Sequence, residues 1–455
     1  MDPTNLSTIA KWAGGELLHG DPALLVTHIC TDSRALKAGD LFLALRGENF
    51  DGHEFVEKAA ILGAAGVIVE KMAEGLPENF AMIKVGNTLD ALQQIAANYR
   101  KSLPLKAVVI TGSNGKTSTK DFASAVLGER FQVIKTEGNF NNHIGLPLTI
   151  LRAQASDDIG VFEIGMNHPG EIAPLAKIAR PDVGIITNVG VAHIEFMGSR
   201  DAIAQEKGML AEALPKGGTL VMDANDAYTA SISERTKART MLCGIDEGEV
   251  RATGIRLDGM GSHFQLSAGG ETVQAQIAVP GEHMVRNALL AIAAGIIFGL
   301  TPAECAAGLA NVHLTKGRLE QKNIRGILVI DDTYNANPDS MVAALRTLVQ
   351  MPAGGRRIAV LGRMGELGVE SERGHRRVGE AAGALRIDCL ITVGDEARFI
   401  SGSAQQHGVS EVMHVSSTDE ATVALRNLAR AGDLVLVKGS RSAKMEKIVE
   451  GLATV

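Results

Sequence analysis

The stretch VVITGSNGKTST, Val108–Thr119, decides how this chain is read. Aliphatic residues run into a glycine turn, and Gly115-Lys116-Thr117 opens what reads as a helix, TSTKDFASAVLGE. A glycine-rich turn between a strand and a helix is a phosphate cradle. Gly112 and Gly115 let backbone N–H groups around Ser113, Asn114 and Ser118 turn toward phosphate oxygens, and the helix N-terminus adds partial positive charge. In such a cradle Lys116 would bridge the β- and γ-phosphates of a nucleotide and the Thr117 hydroxyl would hold Mg²⁺. A tight structural turn accounts for the glycines but not for the adjoining Lys-Thr. The loop is also short: Gly112-Ser-Asn-Gly115-Lys-Thr lacks the first glycine of Gly-x-x-x-x-Gly-Lys-[Ser/Thr], and Ile110 stands in its place.

Outward from the loop, apolar strands alternate with helices. IGVFEIG (Ile159–Gly165), VGIITNVG (Val183–Gly190) and GTLVMDAND (Gly218–Asp226) are continuous apolar runs of the kind buried on both faces of a parallel sheet. Residues 251–279 break this rhythm with turns at Asp258-Gly259 and Gly269-Gly270, which predicts a small antiparallel excursion before an apolar helix over Met284–Phe298. A second parallel series follows in GILVIDD (Gly326–Asp332), RIAVLG (Arg357–Gly362), CLITVG (Cys389–Gly394) and LVLVKGS (Leu434–Ser440). Ahead of the loop, DLFLAL (Asp40–Leu45) and GVIVE (Gly66–Glu70) flank one helical stretch, EFVEKAAILGAAG, and a helix over Leu89–Leu103 stops at Pro104. The expected fold is α/β in three domains: a small N-terminal α/β module over 1–85, a central P-loop parallel-sheet ATPase domain over 86–314, and a C-terminal Rossmann-like parallel-sheet domain over 315–455.

The bulk properties exclude several function classes. A net charge of -7 with 21% charged residues and no basic arm argues against nucleic acid. No apolar run reaches the ~20 residues of a membrane span, and MDPTNLSTIAKWAGG lacks the basic and apolar regions of a secretory signal. Cys30, Cys243, Cys305 and Cys389 are scattered and read as core thiols. A cytoplasmic monomer is expected.

The shortened loop resembles that of the Mur ligase superfamily of ATP-dependent peptide-bond-forming enzymes, and further motifs match in order. FEIGMNHPGEI places Glu163 where the family has a carboxylate on Mg²⁺, and TNVGVAHIEFMGS places His193, read as a strand end, where it has a histidine on a second metal. AQEKGML places Lys207 at the family's carbamoylated lysine, and PGEHMVRNALLA resembles its His…Asn signature with His283 and Asn287 near the nucleotide. KGRLE supplies Arg318, DDTYNANPDSM supplies Asp332, Tyr334, Asn335 and Asn337, and VKGSRSAKMEKIV supplies Lys438, Ser440 and Arg441. The N-terminal TDSRALKAGDLFLALRGENFDGHEF, with Ser33 and Arg34, resembles the uridine-nucleotide module of the later ligases. TEGNFNNHIGLPLT, with Asn139, Asn141 and Asn142, resembles their substrate loop.

DDTYNANPDSM resembles the branch that adds D-alanyl-D-alanine to UDP-N-acetylmuramoyl-tripeptide. The resemblance implies ATP, two Mg²⁺ ions and a Lys207 carbamate, with Lys116, Glu163, His193, Lys207 and Arg318 catalytic and Asp332 on the nucleotide. Tyr334 and Asn335 are implied in substrate binding, and Arg318 is placed to swing onto the γ-phosphate as the third domain closes. On residue type alone Glu206-Lys207 reads as an exposed helix-surface pair, and Asn337-Pro338 as the N-cap and first residue of a helix. His53 stays open between substrate binding and structure. Met284 and Arg363 depart from the family's usual residues. The rival readings are a Mur-type ligase for another amine, a folylpolyglutamate-type ligase, and a nucleotide-gated switch.

Overall fold

A computed structural model describes every residue except Glu48, Ala73, Glu74, Glu78, Asn79 and Val455. The chain forms two compact units: one of residues 1–109, 131–165 and 171–182, the other of 110–130, 166–170 and 183–455.

In the first unit, Leu41–Leu43 and Gly66–Val69 lie inside a five-stranded sheet ordered Glu16–His19, Ala81–Lys84, Gly66–Val69, Leu41–Leu43, Ile29–Cys30. Only the Glu16–His19 pairing is antiparallel. Phe42, Val67, Val69 and Met82 are buried against Val56 and Ala59, each contributing roughly 1.5–3 kcal/mol by leaving water. The expected helix over EFVEKAAILGAAG is instead a 3₁₀ turn, Gly52–Phe55, followed by a short α-helix, Val56–Ile61. Asp51 caps the turn, and His53 is committed to it: Nδ1 lies 2.6 Å from Asp51 Oδ1, while Nε2 accepts the Glu70 N–H at 3.0 Å. Both ring nitrogens of His53 are thus engaged within the module, which gives it a structural part. The helix Thr88–Ser102 starts at an Asn87 cap and ends because Pro104 holds Leu103 extended, at ψ 136°. The parallel strands Val133–Lys135 and Ile159–Glu163 also belong to this unit.

In the second unit, Val183–Ile186, Thr219–Asp223, Arg239–Ile245 and Val250–Asp258 pair in parallel. Gly261–Ala268 and Glu271–Ile277 then continue the sheet antiparallel, as the turn glycines predict. The apolar helix Glu282–Ile297 packs on the loop helix Lys116–Gly128, where a Cβ on Gly295 would come within 2.7 Å of Val126. The C-terminal portion is a six-stranded sheet ordered Glu320–Ile324, Ile327–Asp332, Leu434–Lys438, Arg357–Gly362, Cys389–Val393, Glu411–Val415. Its first pair is antiparallel and the rest are parallel. The edge strands Glu320–Ile324 and Glu411–Val415 escape a search for apolar runs because polar residues interrupt or dominate them. All four cysteines are free and buried, and among the described residues no helix is long and apolar enough to cross a membrane.

Candidate nucleotide and metal site

The loop after Thr111 is braced before any ligand arrives. Ser113 N–H donates to the Asn188 carbonyl (3.0 Å) and Asn114 N–H to Asn188 Oδ1 (3.0 Å). The Asn114 carbonyl accepts from Thr187 Oγ1 at 2.5 Å and Asn188 Nδ2 at 3.0 Å, and Ser113 Oγ accepts the Gly190 N–H at 2.8 Å. Both loop glycines are required by their surroundings. At Gly112, φ +150°, a Cβ would lie 1.8 Å from Thr187 Oγ1; at Gly115, φ +81°, it would lie 2.3 Å from Asn287 Oδ1. Asn287 thus backs the loop, with its Nδ2 on Met284 Sδ at 3.8 Å. No side chain caps the helix that begins at Lys116, and Lys116 Nζ folds back onto the Gly112 carbonyl at 2.8 Å. Gly115→Ala is expected to raise KM for ATP at least about tenfold, since a left-handed Ala alone costs ~1–2 kcal/mol and each 1.4 kcal/mol is about tenfold. Initial rates against ATP concentration check this.

The C-terminal portion reaches the loop at several points. Arg318 Nη2 donates to Thr117 Oγ1 at 3.0 Å while its guanidinium lies 4.2 Å from the centre of the Tyr334 ring; its Nε is buried with no hydrogen-bond partner among the described residues. Three residues earlier, Thr315 donates its N–H and hydroxyl to Asp121 Oδ2 (2.9 and 2.8 Å), which anchors this segment to the loop helix. Asn337 caps the helix Pro338–Gln350 in a capping box with Ser340, and its Nδ2 also donates to Asn114 Oδ1 at 2.7 Å. The cap reading therefore holds, and the same side chain ties the helix to the loop. Asn337→Ala should cost ~1 kcal/mol for the cap alone, lower the thermal midpoint by roughly 2–4 °C, and loosen ATP binding; calorimetry and nucleotide titration separate the two effects. Asp339 Oδ2 accepts the Val191 N–H at 3.2 Å, close against Gly190.

At the strand ends, buried Lys438 donates to Asp332 Oδ2 (2.6 Å) and the Asn335 carbonyl (2.9 Å). His283 lies beside this pair; desolvation pushes its imidazole down to about 4, with Asp332 opposing and Lys438 adding to the shift. Asn335 itself is exposed. Arg363 turns away to Glu396 (3.4 Å) and Ser442 Oγ (3.0 Å).

Lys207 overturns its reading as an exposed residue: it is 1% exposed, and Glu206 is buried too. The helix Arg200–Glu212 buries Ile203, Ala204, Lys207, Leu210 and Ala211, and Lys207 falls on that apolar stripe by ordinary helical spacing. Desolvation pushes its amine well below the lysine range and the charge of Lys116 pushes it further, against the opposing effect of Glu206.

His193 is not at a strand end. The strand stops at Ile186, and His193 follows in a loop at φ +62°, opening the short helix Ile194–Met197. Its Nδ1 lies 2.5 Å from Glu366 Oε2. Glu366 also has positive φ, +59°, and no pattern in the sequence marks it as a site residue. The hydrogen bond from His193 holds the Glu366 carboxyl below its ordinary range, against the effect of burial; the charges of His193, Lys116 and His168 add to it.

In the other unit, Glu163 ends its strand, 2% exposed. Asn141 Nδ2 donates to its Oε1 at 2.8 Å, and its buried Oε2 has no hydrogen-bond partner among the described residues. An ionised carboxylate cannot stay so at low cost, which fits an oxygen meant for a cation. Asn142 Oδ1 accepts the N–H groups of Ile144 and Gly145, at 3.1 and 2.8 Å, and Asn139 is exposed. Exposed Arg34 forms a two-pronged pair with Asp32, whose carboxyl it holds at about 2; Ser33 is half-buried beside it. Thr117, Glu163 and His193 are side chains that could ligate Mg²⁺. No three His, Cys, Asp or Glu side chains converge on a metal-sized site among the described residues. A nucleotide-bound Mg²⁺ does not need such a cage, because phosphates and waters complete its shell.

Comparison with known proteins covers the whole length. Residues 25–100 match the model "Mur ligase family, catalytic domain", 110–295 "Mur ligase middle domain" and 317–441 "Mur ligase, glutamate ligase domain". The chain is similar to the UDP-N-acetylmuramoyl-tripeptide--D-alanyl-D-alanine ligase of Bacillus subtilis (strain 168), 38% identical with 99% of each chain covered. It is 37% identical to the Escherichia coli (strain K12) enzyme of the same name, again over 99% of each. Among solved structures it resembles MurF from Acinetobacter baumannii (TM-score 0.93, 32% identity, 100% of both chains). It also resembles MurF ligase from Thermotoga maritima in complex with ADP (TM-score 0.85, 27% identity, 94% of this chain and 97% of that one).

Proposed function

The chain belongs to the Mur ligase family, and from that premise we propose that it joins D-alanyl-D-alanine to the terminal carboxylate of UDP-N-acetylmuramoyl-tripeptide, driven by ATP. Full-length similarity to relatives of that name supports the choice of substrates. The observation that carries the chemistry is the braced Gly112–Thr117 loop with a second lysine, Lys207, buried within the field of its Lys116. A structural turn needs neither lysine.

In this reading the tripeptide carboxylate attacks the γ-phosphorus, ADP leaves, and an acyl phosphate forms. The dipeptide amine, after losing a proton, attacks the acyl carbon and phosphate departs. The approach of two anions sets the barrier, so the protein's task is to place fixed positive charge where negative charge gathers. Lys116 leaves the Gly112 carbonyl for the β,γ-phosphates, and Arg318 leaves the Thr117 hydroxyl for the γ-phosphate. His283, Asn287 and Asp332 hold the nucleotide. Mg²⁺, when bound, supplies further charge neutralisation and orientation at the phosphates. We assign Thr117, Glu163 and His193 as ligands of Mg²⁺; the Oε2 of Glu163, which has no hydrogen-bond partner among the described residues, supports its assignment. Lys207, whose burial favours the neutral amine, is suited to take up CO₂ as a carbamate, because only an uncharged amine is nucleophilic. Ser33, Arg34, Asn139, Tyr334 and Asn335 are the proposed substrate contacts, with Asn141 holding Glu163 in place. We place the reaction in the cytoplasm, with its nucleotide substrates.

The test is phosphate release from ATP and Mg²⁺ with each substrate omitted in turn. Release that needs both the nucleotide tripeptide and D-alanyl-D-alanine supports the reading. Release with the tripeptide and a different amine reassigns the amine, and release indifferent to both makes the protein a nucleotide-driven switch.

A further inference from the structure

We propose that Glu366 is a positioning residue for the metal side of the reaction: by accepting the Nδ1–H of His193 it fixes one ring tautomer and aims Nε2 at the ion. This rests on the reading that His193 is a metal ligand. The Nδ1-to-Oε2 distance is 2.5 Å, a close ion-pair contact between the ring and the carboxylate. A ligating histidine whose other nitrogen is held by a carboxylate is a better base and a better-oriented ligand.

The contact is built from both sides. His193 and Glu366 sit at φ +62° and +59°, a conformation unfavourable for a non-glycine residue that persists only where the surroundings hold it. Their loops are joined by the main chain too, since Glu195 N–H donates to the Glu366 carbonyl at 3.3 Å. Gly368, φ +51°, lets the loops close, because a Cβ there would lie 3.0 Å from Glu195 Cγ. The Glu366 loop is stapled from behind by His375, which is fully buried. Its Nε2 accepts the Met364 N–H at 3.0 Å, and its Nδ1 donates to the Ser371 carbonyl at 2.7 Å, bracketing the segment that carries Glu366. Glu366 lies in the C-terminal portion, after the strand Arg357–Gly362, whereas His193 follows a strand of the preceding sheet. The metal ligand is therefore set only when the C-terminal portion is docked on the His193 loop.

Manganese binding in the presence of ADP, followed by electron paramagnetic resonance, tests this in the intact protein. His193→Gln identifies the class of bound Mn²⁺ that depends on this ring. Glu366→Ala should weaken that class about tenfold to a hundredfold. Glu366→Gln, whose amide oxygen can still accept Nδ1–H, should fall between Glu366→Ala and wild type. Glu370→Gln, on the same loop but paired with Arg373, should leave it unchanged. The apparent KM for Mg²⁺ in turnover should rise in the same order, with less change in kcat. If no Mn²⁺ class depends on His193, the metal reading falls and this inference with it. If one depends on His193 but not on Glu366, or if Glu370→Gln weakens it equally, the inference alone is overturned.

Discussion

Replacing Lys116 with alanine is expected to lower the rate of ligation by about three orders of magnitude or more while leaving the fold in place. The magnitude follows from removing a fixed charge aimed at a developing anion in a site that excludes water, where a single donor is worth ~3–4 kcal/mol. The fold should survive because the loop is braced independently of Lys116 by Thr187, Asn188 and Asn287. Phosphate release measured alongside the thermal midpoint separates the two. Turnover near wild type with an intact fold would remove the loop from the mechanism.

The second large effect is expected at Lys207. Lys207→Ala should lower ligation by about two to three orders of magnitude, and millimolar formate or acetate should restore part of it, because a carboxylate can occupy the space of the lost carbamate. Lys207→Met keeps the buried stem without the amine. It should be about as stable as wild type, since its unbranched stem fills the same buried space, yet as inactive as Lys207→Ala and not rescued. Rescue of Lys207→Ala ties the residue to a carboxylate-like function. Absence of rescue under any condition would withdraw the carbamate while leaving the ligase intact.

The strand-loop-helix at Val108–Thr119 and the two apolar strand series were legible because buried parallel strands must be apolar on both faces, leaving little ambiguity in pattern. The edge strands, which polar residues interrupt or dominate, were not, because one face needs no apolar residue. Lys207 was misplaced by reading residue type before periodicity. The spacing of Ile203, Lys207, Leu210 and Ala211 already put it on the inner stripe. His193 was assigned to a strand end that it does not occupy, because loop length after Ile186 leaves no periodic signal. Glu366, Asp121 and Asn188 were not singled out at all. Each acts through a partner distant in sequence: His193, Thr315 and the Ser113–Asn114 backbone respectively. Local pattern cannot encode such pairings, which appear only once the strands and loops are placed.

The most direct test of the chemistry follows one oxygen atom. The nucleotide tripeptide, labelled with ¹⁸O in its terminal carboxylate, is incubated with ATP, Mg²⁺ and D-alanyl-D-alanine, and the released phosphate is examined by mass spectrometry. Attack of the carboxylate on the γ-phosphorus, followed by displacement by the amine, carries one labelled oxygen into each phosphate as pentapeptide forms. Phosphate free of label beside a labelled peptide would mean that ATP is hydrolysed by water and that no acyl phosphate is made, which contradicts the account at its centre.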